Sequence, residues 1–226
     1  VFVKGRRYEY NLQNRLAEIW DMGTDEVSTA DDELLTEYSY NAVGIRTEKI
    51  DHEAAPAQLT TYLIDPFNHT GYAQVVEETT YDVADPDPAV DAPIKQITYT
   101  IGDDVIAQTV AQDVSGTWTV FEPEYLLYDG HGSTRQLAGT DPSILQNYNY
   151  DAYGTLLQDS AAESNPGITP QQDTSLLYTG EQFDTDAQQY YLRARYYNQN
   201  NGTFNRTDPY AGNTQDPQSL HKYAYV

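Results

Sequence analysis

Apolar and polar residues alternate along this chain with a period of two. Tyr8 and Tyr10, Tyr38 and Tyr40, and Tyr148 and Tyr150 each place two rings one residue apart, followed by Asn11, Asn41 or Asp151 and then by Asn14, Gly44 or Gly154. Residues i and i+2 of a strand share a face, so both rings of each pair lie together. Asn or Asp then opens a turn by bonding backbone just ahead of it, and Gly or Asn supplies the positive φ that sends the chain back. The phrase Tyr-x-Tyr-Asn/Asp-x-x-Gly/Asn, followed by a mixed apolar and basic pair, therefore predicts a β-hairpin.

Looser copies fill the intervals: Thr61 to Gly71, Ile97 to Ala107, and Tyr125 to Ser133. Strands are thus expected roughly every dozen residues, which is the spacing of an all-β fold. Leu12 to Trp20 can be drawn as a short amphipathic helix, but the other copies of its phrase favour strands, and a strand is the expectation. Three stretches break the pattern: Asp21 to Glu33, Asp82 to Asp91 and Asp159 to Asp173. Their Pro, Asp and small residues read as surface loops inserted between strands.

Composition sharpens this picture. The 226 residues, 39% of them hydrophobic, suffice for a sizeable core, and 21 Tyr against 5 Phe and 2 Trp put a hydroxyl on most of the aromatic surface. Twelve basic against 35 acidic residues leave a net charge of −23, which repels phosphate backbones and argues against a nucleic-acid partner. That acidity reads as solubility, or adaptation to a saline habitat. With no Cys, packing and strand ladders must hold the fold. No apolar run approaches the ~18 residues that cross a bilayer as a helix. Both ends read as cuts in a longer polypeptide, since the chain opens without a starting Met and stops in a strand-like Tyr-Ala-Tyr-Val.

One region matches a known family. Tyr128-Asp-Gly-His131-Gly132-Ser133-Thr-Arg135, then Tyr148 to Gly154, Tyr178-Thr-Gly180-Glu-Gln-Phe-Asp184, Tyr190-Tyr-Leu-Arg193-Ala-Arg195-Tyr196-Tyr197 and Phe204-Asn-Arg206-Thr-Asp208-Pro209 follow one another. This succession resembles the core region of RHS-repeat proteins, and the upstream half resembles the YD repeats that precede such cores. The resemblance implies Tyr-rich antiparallel hairpins in a curved, spiralling sheet, part of a hollow shell like those of bacterial polymorphic toxins and Tc toxin C components. Residues 1–121 are then YD-repeat hairpins and residues 122–226 the core region, in one continuous sheet. Spiralling pairs each strand edge with a neighbour.

The candidate chemistry is sparse. The resemblance implies aspartyl self-cleavage downstream of the core, and Arg206 and Asp208 match its first phrase. Gly212 falls one residue later than that phrase requires, and a single Asp lacks the partner with which it would share a proton. Asp208 is therefore expected to shape a turn before Pro209, as is Asp216 before Pro217, and the fragment is not expected to be an enzyme. His131 reads as a turn residue. The four His show no metal-ligand spacing, and neither a metal nor a cofactor is proposed. Asp82, Asp85, Asp87 and Asp91 lack calcium-loop spacing and read as a solvated acidic loop. Arg193 and Arg195 are expected to alternate along one strand beside Tyr190, Tyr191, Tyr196 and Tyr197, where they can stack on rings or pair with the abundant carboxylates, with a structural cation–π cluster as the expectation.

Two functions remain open at this level. One is a shell segment of a secreted bacterial protein that encloses and delivers its own C-terminal effector. The other is an extracellular structural or adhesive surface, in contact with carbohydrate or self-assembling through sheet edges. Three Asn-x-Thr sequons, at Asn68, Asn201 and Asn205, are expected by chance in so polar a chain.

Overall fold

In a computed structural model of the chain, residues 5–23, 31–83, 92–141, 143–157, 174–208 and 210–225 are described. The strands are β1 (Arg6–Tyr10), β2 (Leu16–Asp21), β3 (Glu33–Tyr40), β4 (Arg46–Asp51), β5 (Gln58–Asp65), β6 (Gln74–Asp82), β7 (Lys95–Ile101), β8 (Val105–Val114), β9 (Thr117–Val120), β10 (Glu124–Tyr128), β11 (Thr134–Ala138) and β12 (Ile144–Asn147). These twelve form one antiparallel sheet in which chain neighbours pair, except that β8 pairs with both β9 and β10. A small hairpin of β13 (Asn149–Tyr150) and β14 (Leu156–Leu157) follows, then a four-stranded sheet of β15 (Gln182–Asp184), β16 (Gln189–Leu192), β17 (Arg195–Asn198) and β18 (Thr203–Phe204). The all-β expectation holds, and Leu16 to Trp20 is strand. Where one continuous sheet is expected from sequence, the strands fall into three, and position 121/122 lies inside the largest. The three interrupting stretches lie largely outside the described residues.

The turn phrase works as its chemistry requires. Oδ1 of Asn11 accepts the backbone N–H groups of Gln13 and Arg15, and Asn41 does the same for Val43 and Ile45. Asp129 takes those of His131 and Ser133, and Asp151 those of Tyr153 and Thr155. One side-chain oxygen thus replaces two ladder partners at four separate turns. The fourth turn position has positive φ each time: 62° at Asn14, 81° at Gly44, 79° at Gly132 and 91° at Gly154.

The tyrosine just before each such turn explains why Tyr outnumbers Phe. The ladder slips by one residue at Glu9/Tyr10, Ser39/Tyr40 and Leu127/Tyr128, a bulge that frees backbone groups from pairing. The Tyr40 hydroxyl donates to the carbonyl of Leu16 at 2.6 Å, Tyr128 to Val105 at 2.7 Å and Tyr150 to Thr134 at 2.8 Å. Each hydroxyl therefore ties a hairpin to an earlier one. Phe would keep the packing and leave that carbonyl without this partner.

The four-stranded sheet is buried on both faces, since Gln189, Tyr190 and Tyr191 are buried in succession, as are Tyr196, Tyr197 and Asn198. Tyr191 pairs with Tyr196, and these two pack with Leu16, Ile19, Leu35 and Tyr38 of the first strands. Tyr190 pairs with Tyr197 on the opposite face and packs with Tyr99, Leu126, Leu137 and Tyr148 of the later ones. The large sheet is therefore a wall that bends around a small inner sheet, as the curved-sheet expectation requires. Three hydroxyls seal the joint to the β13–β14 turn: Tyr178 donates to Ala152, Tyr190 to Gly154 and Tyr197 to Tyr153.

Candidate functional site

The polar centre of the molecule is Arg46, which starts β4 and is only 2% exposed. The register places Arg46 opposite Tyr40, as Leu16 lies opposite Tyr10, so the guanidinium occupies a position that is buried and aliphatic one hairpin earlier. Its Nη1 lies 2.5 Å from Oδ2 of Asp184 and 3.0 Å from the Tyr196 hydroxyl, and Nη2 lies 2.5 Å from Oε1 of Gln182. The Arg46 cation also stacks on Tyr62 at 4.5 Å and Tyr191 at 4.4 Å from the ring centroids. Wall and inner sheet thus meet through a charge-assisted seam with ring contacts around it.

Asp184 is fully engaged. Besides Arg46, it accepts the Tyr38 hydroxyl at 3.1 Å and the backbone N–H groups of Asp186 and Ala187. Burial alone would raise its carboxyl, but Lys49 and Arg46 outweigh that and hold it below the usual carboxylate range. Lys49 itself pairs with Asp186 at 2.9 Å. The network continues as Gln182 and Tyr99 both donate to Oε1 of Glu78 at 2.7 Å. Burial also raises the surrounding phenols, lifting Tyr62 to about 12 and Tyr38 and Tyr196 well above their ordinary value. The seam pairs its charges, Arg46 with Asp184 and Lys49 with Asp186, while Nε of Arg46 is buried without a hydrogen-bond partner among the described residues.

The residues singled out from sequence lie elsewhere. Asp208 meets Arg195, not Arg206, at 2.9 Å, and its Oδ1 accepts the Tyr210 backbone N–H at 2.8 Å. Arg206 lies against the Tyr10 ring, 3.4 Å from its centroid. Arg193 and Arg195 do not alternate along one strand. Arg193 sits in the β16–β17 turn with φ 54°, while Arg195 opens β17, because the two strands need a tight reversal between them. Nor do their cations rest on the neighbouring tyrosines: Arg193 stacks on Tyr72 and pairs with Glu181, and Arg195 stacks on Phe204. His131 sits in the turn held by Asp129, with its ring 5.7 Å from that of Tyr178. Asp82 ends β6, and Asp85, Asp87 and Asp91 lie outside the described residues.

Sequence reasoning missed Arg46 and Asp184 as a pair. The available signal was a basic residue at a repeat position that is aliphatic in another copy. Its partner lies 138 residues away, and no spacing rule connects them.

Comparison with known proteins places this geometry. No family model matches the chain. Among curated proteins, it is 33% identical over 98 residues to the tRNA3(Ser)-specific nuclease WapA of Bacillus spizizenii and 32% identical over 98 residues to the tRNA nuclease WapA of Bacillus subtilis, covering 43% of this chain in each case. It spans about 4% of the length of those relatives. Among solved structures, the TcdB2-TccC3 crystal structure superimposes on 99% of the chain with a TM-score of 0.68 at 19% identity. The Photorhabdus luminescens Tc holotoxin pore carrying the TccC3-D651A mutation covers 100% at 0.66 and 19% identity. The chain spans 10% of each solved chain. These likenesses bear out the RHS/YD-repeat resemblance and the shell-type fold.

Proposed function

We propose that this chain is a segment of the shell of a secreted bacterial RHS-repeat protein, one that encloses and delivers the C-terminal effector of its own polypeptide. The observation that carries this reading is the wall bending around an inner sheet, locked by Arg46 and Asp184, in a chain 99% of which superimposes on part of the TcdB2-TccC3 structure. In that reading residues 1–121 are wall hairpins and residues 122–226 the core region. The segment supplies architecture, and enzymatic chemistry of the kind named for the WapA relatives resides in another part of the polypeptide. Asp208, held by Arg195 and by its own turn, is a structural residue here.

The test is intact and fragment mass spectrometry of the native parent protein. A cleaved C-terminal polypeptide retained non-covalently by the remainder is the expected result. One uncleaved chain with no distinct terminal domain would overturn the reading in favour of a structural or adhesive surface.

A further inference from the structure

Four of the chain's eight arginines, Arg15, Arg193, Arg195 and Arg206, line one cleft between the β1–β2 turn and the β16–β17 turn, together with Tyr10 and Asn205. That concentration is unexpected in a protein of net charge −23, where carboxylates are abundant. Only two of the four are neutralised among the described residues: Arg193 by Glu181, through contacts at 2.8 and 2.9 Å, and Arg195 by Asp208. Arg15 donates to the Arg193 carbonyl at 2.9 Å, and Arg206 rests on Tyr10, and neither has a carboxylate partner among the described residues. The donors Nε of Arg206 and Nη1 of Arg195, and the acceptor Oδ1 of Asn205, are buried without a hydrogen-bond partner among the described residues. Buried donors on charged groups are seldom left so, because the desolvation is then uncompensated.

We propose that this cleft holds one small inorganic anion of chloride size. Its free volume of about 10 Å³ admits a single water-sized guest. A water molecule in that space would satisfy hydrogen bonds yet leave two unpaired positive charges in close company. A monatomic anion meets the two arginine donors and the charge together, though not Oδ1 of Asn205, which is an acceptor. The anion would join the first turn of the wall to the turn of the inner sheet, so the proposal stands whether or not the polypeptide carries an effector.

Thermal unfolding of the 226-residue chain at fixed ionic strength, with sodium chloride replaced stepwise by sodium gluconate, whose anion is too large for the space, tests this. Chloride at ten times its Kd is expected to raise Tm saturably by about 3–6 °C. Arg206→Gln should abolish the response, and Arg206→Lys should retain part of it. Crystals of the unaltered chain grown in bromide should show an anomalous peak beside Nε of Arg206, a readout that does not depend on a variant folding. Equal Tm in the two salts, an undiminished chloride response in Arg206→Gln, or water density without an anomalous signal would each overturn the proposal.

Discussion

Removing the charge of Asp184 should destabilise the fold more than any other single-atom change in this chain. Asp184→Asn keeps an oxygen for the Tyr38 hydroxyl and for the amides of Asp186 and Ala187, so the change falls on the contact with Arg46, where it removes the charge and puts an amide donor in place of the acceptor. Both partners are almost wholly buried, with side-chain exposures of 2% and 1%. Stranding a buried charge in this way costs about 3–5 kcal/mol. At about 2–4 °C per kcal/mol for a chain of this size, the fall in Tm is roughly 6–20 °C. The companion variant Arg46→Met, Asp184→Leu removes both charges, and it should recover to within about 2 kcal/mol of the starting protein. Urea unfolding followed by circular dichroism and intrinsic fluorescence on the starting protein, Arg46→Met, Asp184→Leu and the double variant, the four corners of one cycle, gives the coupling directly. A single-variant cost below about 1 kcal/mol, or four corners additive to within about 0.5 kcal/mol, would refute the view that wall and inner sheet are held by this pair.

Other predictions follow from the same contacts. Tyr40→Phe, Tyr128→Phe and Tyr150→Phe should each cost about 1 kcal/mol by chemical denaturation, since each loses one hydroxyl-to-carbonyl bond and little packing. Gly116→Ala (φ 83°, open space) should show only the left-handed backbone penalty of about 1–2 kcal/mol, whereas Gly212→Ala (φ 85°) should cost more, because its new carbon would fall 2.7 Å from the backbone oxygen of Ser219. Asp184 titrates below its unfolded value, so its contribution is complete above the ordinary carboxylate range and drains away as pH falls through the folded value; stability measured against pH should decline below about pH 4. Burial lifts Tyr10, Tyr62 and Tyr197 to about 12, so their contribution is complete below the ordinary phenol value and is lost as pH rises above it. The phenolate absorbance of these three should accordingly develop late and together with unfolding.

Local structure was legible in this sequence because its determinants are local. The side chains of Asn11, Asn41, Asp129 and Asp151 each act within four residues, and the hairpins they open follow from that chemistry alone. The strand at Leu16 to Trp20 was legible for the same reason, since neighbouring copies of the phrase share its turn. The inner sheet was not. Its two-sided burial depends on which distant wall strands curl over it, and Arg46 carries no mark that its counter-charge waits at Asp184. Arg193 and Arg195 show a narrower failure: their spacing fits a strand, but a reversal of only two residues between β16 and β17 took the first of them out of the ladder.

The enclosure of the inner sheet has a consequence for biogenesis. A ribosome delivers the wall before the strands that fill it, so the wall's early hairpins emerge with Leu16, Ile19 and Tyr38 still awaiting Tyr191 and Tyr196. The bond from Asn205 to the Tyr10 hydroxyl spans 195 residues and can close only once Asn205 has emerged. Such separations slow folding and prolong the exposure of sticky surface. A nascent chain of this design is therefore a client for chaperones until the inner strands arrive, and a stop codon placed before Gln182 is expected to yield an aggregating product instead of a smaller folded one.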